Sequence, residues 1–143
     1  MERFEKGYKI FGLEKELKTT YKGLKLVGKV DRIDIKDDTL FVLDYKTGKL
    51  PKTTKKDISE GRVKDFQLQF YYHLSSSLGK TSSCAFYDLT NSKVIEEDFF
   101  DEKLEMLDEI LEELKETNVV NFSLSEDDKS CTYCPYVKMC GRE

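Results

Sequence analysis

Hydrophobic and polar residues in the first third of the chain follow the pattern of β-strands. The segment from Tyr8 to about Thr20 mixes alternation with β-branched and aromatic residues, while Leu24 to Ile35 and Thr39 to Lys46 are rich in Val, Ile, Leu and Phe. Polar turn residues separate these segments at Tyr21-Lys22-Gly23 and Lys36-Asp37-Asp38. The pattern predicts three strands, of which the second and third form a hairpin.

The spacing of apolar residues becomes helical after Asp65. Four apolar residues recur at every fourth position: Phe66, Phe70, Leu74 and Leu78. Asp65 is placed to cap this helix and Gly79 to end it. Two more strands are predicted from Ser83 to Leu89 and from Lys93 to Asp98. The apolar stripe of the helix should pack on the sheet that these strands form.

A second helix and a long polar segment complete the pattern. The helix is predicted from leucines that line one side of an otherwise acidic segment: Leu104, Leu107, Leu111 and Leu114. Residues 47–63 have no periodicity and contain Gly, Pro and several lysines, so we predict a long basic loop. The order of three strands, helix, two strands and helix predicts an α/β fold, a mixed sheet flanked by helices.

Composition adds a size limit and a charge asymmetry. With 143 residues and 38% hydrophobic content, the chain can bury one core, so we predict a single domain over residues 1–143. An apolar run of membrane-spanning length and a signal peptide are both missing, and we expect a cytoplasmic protein with no membrane contact. Residues 1–80 carry 18 Lys and Arg against 12 Asp and Glu, whereas residues 81–143 carry 6 against 16. A phosphate-binding face is therefore expected in the first half.

The lysines of the basic loop are the candidates for this face. Four of them are predicted to contact DNA phosphates: Lys49, Lys52, Lys55 and Lys56. The alternative is an ordinary solvated surface, which is the usual role of charge runs.

The strongest chemical pattern lies on the predicted hairpin. A turn centred on Asp37 and Asp38 places Asp31 opposite Asp44, with Lys46 on the same face as Asp44. Facing residues have Cβ atoms about 4.5–5.5 Å apart, and two bare carboxylates at that distance repel each other. A divalent cation such as Mg²⁺ removes the repulsion, because it prefers carboxylate oxygens. We therefore predict a metal-assisted hydrolytic site in which Lys46 orients or deprotonates the nucleophile.

A purely structural role for the two aspartates is the alternative. On a solvated strand face, Asp31 and Asp44 would be ordinary polar residues. Their predicted face, however, also carries Ile33 and Val42, which indicates burial. Charged groups at one end of an apolar face need partners, and this favours the functional interpretation.

Three segments, taken in order, resemble the motifs of PD-(D/E)XK nucleases of the RecB type. They are Gly28 to Asp34, Asp44 to Gly48, and Gln67 to Tyr72. The resemblance implies a restriction-endonuclease-like fold and a nuclease that hydrolyses the phosphodiester backbone of DNA. It also implies that Asp31 and Asp44 bind Mg²⁺ or Mn²⁺, that the Tyr45 carbonyl is a third ligand, and that Lys46 is the catalytic lysine.

The same resemblance assigns Gln67 and Tyr71 to the border of the active site, where they help to position the attacking water or the DNA. The two residues lie one helical turn apart and so share a face. A polar rim beside the apolar stripe of Phe70 and Leu74 is an equally open alternative. His73 lies on a different face of the same helix, and we expect it to be a surface or packing residue.

Three cysteines near the C-terminus have the spacing C-x2-C-x5-C: Cys131, Cys134 and Cys140. In a reducing compartment this spacing suggests metal ligation. It resembles the cysteine tail of the subgroup that holds an iron–sulfur cluster, including AddB-type helicase–nuclease subunits and CRISPR adaptation nucleases. A [4Fe–4S] cluster takes four thiolates, and Cys84 is predicted to be buried in a strand. We therefore expect no cluster or a labile one.

Two elements of the family pattern are missing from this chain. The family's acidic or histidine residue on a helix before the first strand has no clear counterpart, because Glu14 and Glu16 fall on a predicted strand and should form surface pairs. The family's fourth cysteine, upstream of the nuclease core, is also missing. We therefore expect this chain to be either the C-terminal part of a longer protein or a reduced relative that lost both elements, with a cysteine-rich tail at residues 131–140.

These expectations combine into a Mg²⁺- or Mn²⁺-dependent DNA nuclease, an exonuclease module of a DNA-repair helicase–nuclease with helicase subunits as partners. Two alternatives stay open. One is a nuclease-fold module that binds DNA but is catalytically weak. The other is a small zinc-binding interaction domain.

Overall fold

The computed structural model of the protein describes residues 2–117 and 131–142. Along these residues the elements follow in the order α1 (Glu2–Glu5), β1 (Lys9–Tyr21), β2 (Leu24–Lys36), β3 (Thr39–Lys46), α2 (Lys55–Ser59), α3 (Gln67–Ser75), β4 (Thr81–Asp88), β5 (Lys93–Ile95) and α4 (Phe100–Glu116). The predicted order of strands and of the two long helices is therefore confirmed.

The strands form one mixed sheet in the order β1-β2-β3-β4-β5. Strands β3 and β4 are parallel, and the other neighbouring pairs are antiparallel. Parallel neighbours need a crossover connection, which α3 supplies between β3 and β4. This arrangement confirms the predicted α/β class and brings the carboxyl ends of β3 and β4 to the same end of the sheet.

The hydrophobic core lies between one face of the sheet and the helices α3 and α4. Alternating residues of the strands supply one side of it, and leucines of the two helices supply the other: Leu26, Val30, Ile33, Leu40, Val42, Phe86, Leu68, Leu74, Leu107 and Leu111. Burial of this apolar surface holds α3 in place, at about 25 cal/mol for each Å² removed from water. The position of α3 matters below because it carries Gln67 and Tyr71.

The buried face of helix α4 differs from the predicted leucine stripe. Leu107 and Leu111 are buried, but Leu114 is 60% exposed, and Lys103 takes a buried position instead. Lys103 is buried because its Nζ donates to Oε1 of Glu97 at 2.5 Å. A charged residue can enter a core when such a partner is available, which the spacing of leucines cannot reveal.

Two other boundaries differ from the sequence-based prediction. The loop at residues 47–63 contains the short helix α2, which begins with a capping box: Thr54 Oγ1 accepts from the N–H of Asp57, and Oδ2 of Asp57 accepts from the N–H of Thr54. Helix α3 ends at Ser75, before the predicted Gly79. At and just after this end, the hydroxyls of Ser75, Ser76 and Ser77 donate to carbonyls three positions back, a pattern that competes with helical bonding.

None of the helices within the described residues combines the length and apolar composition that a membrane span requires.

Candidate active site

The site begins where the β2–β3 hairpin ends. Ile33 lies opposite Val42 and Arg32 opposite Leu43, which confirms the predicted register up to this pair. Regular pairing stops there, so the predicted pairing of Asp31 with Asp44 is not part of the sheet register. The Oδ2 of Asp31 instead accepts from the backbone N–H of Tyr45 at 2.8 Å. Asp31 is thus held beside the end of β3 by a backbone hydrogen bond.

An irregularity in β2 turns Asp31 toward this position. Core residues occupy even positions up to Val30 and an odd position at Ile33, so the strand changes face between them. Across the sheet, Glu14 of β1 has a positive φ of 48°, and neither Glu14 nor Asp31 has a partner in the register of β1 and β2. Local irregularities of this kind re-aim side chains and are frequent next to active sites.

Asp44 is the most buried carboxylate of the site, with 3% of its surface exposed. Its Oδ1 accepts from Nε2 of Gln67 at 2.9 Å. Its Oδ2 forms an ion pair with Nζ of Lys46 at 2.7 Å. Burial raises the pKa of the Asp44 carboxyl group, and Lys46 opposes that rise. Asp44 is therefore a buried carboxylate whose charge is offset by the Lys46 ammonium, and carboxylate oxygens are ligands that Mg²⁺ prefers.

Gln67 connects the sheet residues to helix α3. Its Oε1 accepts from Nζ of Lys46 at 2.9 Å, and its Nε2 donates both to Asp44 and to the hydroxyl oxygen of Tyr71, the latter at 3.0 Å. Both ends of the amide are therefore engaged, which fixes its orientation. Burial raises the pKa of the Tyr71 hydroxyl group. The structure thus brings Asp31, Asp44, Lys46, Gln67 and Tyr71 together in one connected group.

Gly28 permits α3 to lie close to the sheet. A Cβ atom at this position would be 2.6 Å from Cδ1 of Leu74 and 3.6 Å from Cε1 of Phe70. Leu74 is fully buried, so its side chain has little room to move aside. At the start of α3, Oδ1 of Asp65 accepts from the N–H of Gln67 at 2.9 Å, but the N-cap residue is Phe66 and not the predicted Asp65. These contacts set the position of Gln67 over Asp44.

The donor set fits a hard divalent cation. In the described part of the chain, no three His, Cys, Asp or Glu side chains converge as a metal group, so the site offers the two carboxylates of Asp31 and Asp44. Mg²⁺ characteristically takes one or two carboxylates together with water and substrate phosphate. Two carboxylates beside an amine therefore suit Mg²⁺ or Mn²⁺. The Tyr45 carbonyl stays a predicted third ligand.

The remaining predicted residues lie on other surfaces. The loop lysines Lys49, Lys52, Lys55 and Lys56 are all exposed, and their contact with DNA stays a prediction. Glu14 forms the expected surface ion pair, with Lys29. His73 is a packing residue, because its Nε2 is 2.7 Å from Oδ1 of Asp108 and its ring stacks on Tyr21 at 3.9 Å.

All four cysteines carry reduced thiols. Cys84 is buried in β4, and burial raises the pKa of its thiol far above the ordinary value. In the segment 131–142, Cys131 and Cys134 are partly buried and Cys140 is exposed. The Sγ of Cys131 accepts from Nη1 of Arg142 at 3.2 Å. Iron–sulfur ligation by the three tail cysteines stays a prediction.

Sequence reasoning missed Asp34, which is completely buried on the opposite face of the sheet. Its carboxylate accepts from Nε of Arg3 at 2.8 Å and from Nε of Arg32 at 2.7 Å. Arg32, two positions away on the same strand face, was the available signal for this ion pair. The cluster attaches α1 to the sheet.

A family model described as the PD-(D/E)XK nuclease superfamily matches residues 1–141. No curated protein matches the chain. The matched region contains the whole connected group of Asp31, Asp44, Lys46, Gln67 and Tyr71 and the mixed sheet that carries it. The chain belongs to the PD-(D/E)XK nuclease superfamily.

Proposed function

We propose that the protein is a Mg²⁺- or Mn²⁺-dependent deoxyribonuclease that hydrolyses phosphodiester bonds. Membership of the superfamily suggests a nuclease. The observation that carries the proposal is the group formed by Asp31, Asp44 and Lys46: the Tyr45 N–H holds Asp31 beside the end of β3, and the buried Asp44 lies 2.7 Å from Nζ of Lys46. Two neighbouring carboxylates and one ammonium leave a negative charge that a divalent cation would offset.

Asp31 and Asp44 would hold the cation. When bound, it would supply a water of lowered pKa and stabilise negative charge on the scissile phosphate. The Tyr45 N–H orients Asp31, and the Gln67 amide orients Asp44, so neither carboxylate has to be ordered when substrate arrives.

Lys46 is the group that handles charge and protons in this proposal. Its Nζ is held by Gln67 and Asp44 at the end of β3. From there the ammonium can donate to the attacking water or to a phosphate oxygen on which charge develops. The Tyr71 hydroxyl, which accepts from Gln67, keeps the amide from rotating. Gln67 and Tyr71 are therefore positioning residues.

The loop lysines 49, 52, 55 and 56 extend this site as phosphate contacts, because they are exposed and follow β3 directly. Joint replacement by serine should weaken DNA binding and flatten its dependence on salt.

The resemblance to RecB and AddB nucleases supports an exonuclease that works with helicase subunits in DNA repair. The same resemblance supports an iron–sulfur cluster on Cys131, Cys134 and Cys140 if a fourth ligand is supplied from elsewhere.

A DNA-binding module with weak catalysis is the second candidate. It is favoured by the metal site, which has only two carboxylates among the described residues. Cleavage of end-labelled DNA with and without Mg²⁺ distinguishes the two candidates. We expect metal-dependent cleavage that falls about a hundredfold or more in Lys46→Ala. Lys80→Ala, which removes an exposed lysine at the opposite end of the sheet, is the matched control. Undiminished cleavage by Lys46→Ala would contradict the assignment.

A further inference from the structure

A cleft of about 600 Å³ lies on the other face of the sheet from Asp44 and Lys46. Its walls come from α1, the segment between α1 and β1, the strand β2, and the hairpin of β4 and β5. Side chains alternate between faces along a strand, so Arg32 and Tyr87 point away from the core face of Ile33 and Phe86. The cleft is therefore separate from the site described above.

The cleft is positively charged. Four of the side chains that line it are cationic, Arg3, Lys6, Arg32 and Lys93, and none of the described lining residues is acidic. Asp34 lies beneath it and pairs with both arginines, and Asp88 lies opposite Lys93 in the sheet, so part of the positive charge is offset. Arg3 also keeps its Nη2 without a hydrogen-bond acceptor. A positive cleft with an unsatisfied donor favours an anionic ligand.

Two tyrosine rings accompany these charges. The Tyr8 ring lies 3.9 Å from the guanidinium carbon of Arg3 and packs edge-on against Phe41. The Tyr87 ring packs edge-on against Tyr45, with centroids 5.9 Å apart. Aromatic rings next to cationic side chains are typical of sites that bind unpaired nucleic acid. In such sites the phosphates contact the cations and the bases stack on the rings. An acidic peptide would use only the charges.

The cleft and the candidate active site share one end of the sheet. Tyr87 lies opposite Tyr45, the residue before Lys46. The backbone N–H of Leu89 donates to the Lys46 carbonyl at 2.9 Å, and Lys93 follows the same turn at the start of β5. A nucleic-acid strand that passes Lys46 therefore has to cross only one turn of the protein chain to reach the cleft.

We propose that this cleft binds an unpaired strand of the nucleic-acid substrate, with its phosphates on Lys93 and Arg3 and a base on Tyr87. The inference rests on the proposed function for the identity of the ligand. A paired strand does not fit this role, because its base faces are already stacked and are closed to the Tyr87 ring.

Binding of fluorescently labelled single-stranded DNA, followed by anisotropy over a range of salt concentrations, tests the proposal. EDTA is present throughout, so no hydrolysis takes place. Lys93→Glu should weaken binding about tenfold and lower the salt slope by about one. Tyr87→Leu keeps an apolar contact with Tyr45 but removes the ring, and should weaken binding about fivefold.

Lys80→Glu is the matched control, because it makes the same charge change at an exposed lysine before the other end of β4. If Lys93→Glu and Tyr87→Leu bind DNA as Lys80→Glu does, the proposal is wrong. An equal loss of affinity for blunt duplex also contradicts it. Neither of these binding measurements depends on cleavage. Absence of cleavage by the wild-type protein would instead overturn the proposed function.

A variant of Tyr87 that fails to fold would not end the test. Photo-crosslinking of thiothymidine-substituted single-stranded DNA to the wild-type chain, with peptide mapping, supplies an independent measurement. Crosslinks at Tyr8 or Tyr87 support the proposal. Crosslinks confined to the loop of residues 47–63 and the Lys46 region overturn it.

Discussion

Gln67 and Asp44 are joined by a hydrogen bond of 2.9 Å although 23 residues separate them in the chain. The bond connects the helix α3 to the end of β3. Because the other end of the Gln67 amide accepts from Lys46, one side chain holds a carboxylate and an ammonium in fixed positions. The geometry of the candidate active site depends on this amide.

Replacement of Gln67 by leucine should therefore lower cleavage without unfolding the protein. Asp44 and Lys46 lose their shared partner and no longer have a fixed separation, which we expect to cost about tenfold to a hundredfold in kcat. Steady-state cleavage with Mg²⁺ measures the loss. Gln67→Glu is a useful second variant: the added charge would hold Lys46 but repel Asp44, so it should not restore activity. A fully active leucine variant would contradict the positioning role.

The raised pKa of Asp44 predicts a pH-dependent effect on the metal-free protein. Burial disfavours the ionised carboxyl group in the folded state, so Asp44 supports folding below its unfolded pKa, and this support is lost as the pH rises through the raised folded value. Asp44→Asn should therefore raise the melting temperature in EDTA at neutral pH, and the difference from wild type should disappear in acid. Thermal unfolding at several pH values measures this.

Metal addition supplies the control for that experiment. Mg²⁺ or Mn²⁺ in excess should stabilise the wild-type protein, because a ligand that binds only the folded state raises its stability. Asp44→Asn should respond much less. An equal response of both proteins would place the cation elsewhere.

Gly28→Ala should destabilise the protein by about 1–3 kcal/mol, because the new methyl group overlaps the buried Leu74 and displaces α3. Cleavage should fall as well, since α3 carries Gln67. Urea unfolding and cleavage assays measure the two effects. Gly48→Ala is the control: a Cβ atom there meets nothing within 4 Å. Equal stability of the two variants would show that α3 does not depend on close contact at Gly28.

The buried pair of Lys103 and Glu97 should be strongly coupled. Glu97 Oε1 accepts from Nζ of Lys103 at 2.5 Å, and its Oε2 accepts from Nε2 of Gln69 at 2.7 Å. Lys103→Met leaves Glu97 buried without its cation and should cost about 3–5 kcal/mol of unfolding free energy. The additional change Glu97→Gln should recover part of that loss. A double variant no more stable than Lys103→Met in urea unfolding would argue against coupling.

Local sequence patterns were sufficient to predict the hairpin of β2 and β3, its register up to Arg32 and Leu43, and the position of Asp44 and Lys46 on one face. These features depend on local rules: alternation along a strand and a short turn set which residues face each other. They could therefore be worked out from residues 24–46 without any distant contact. The predicted course of α3 and of the last strands was also correct to within a few residues, apart from the early end of α3 at Ser75.

Tertiary structure alone decided which polar groups meet over long distances. The bonds of Gln67 to Asp44 and Lys46, the ion pairs of Asp34 and the burial of Lys103 all join elements that are remote in sequence. A hydrophobic pattern records only whether a residue is apolar, so it cannot show that a charged side chain enters the core beside a partner. The cleft on the second face arose in the same way, because packing of α1 against Asp34 places cations and tyrosines from four elements around one space.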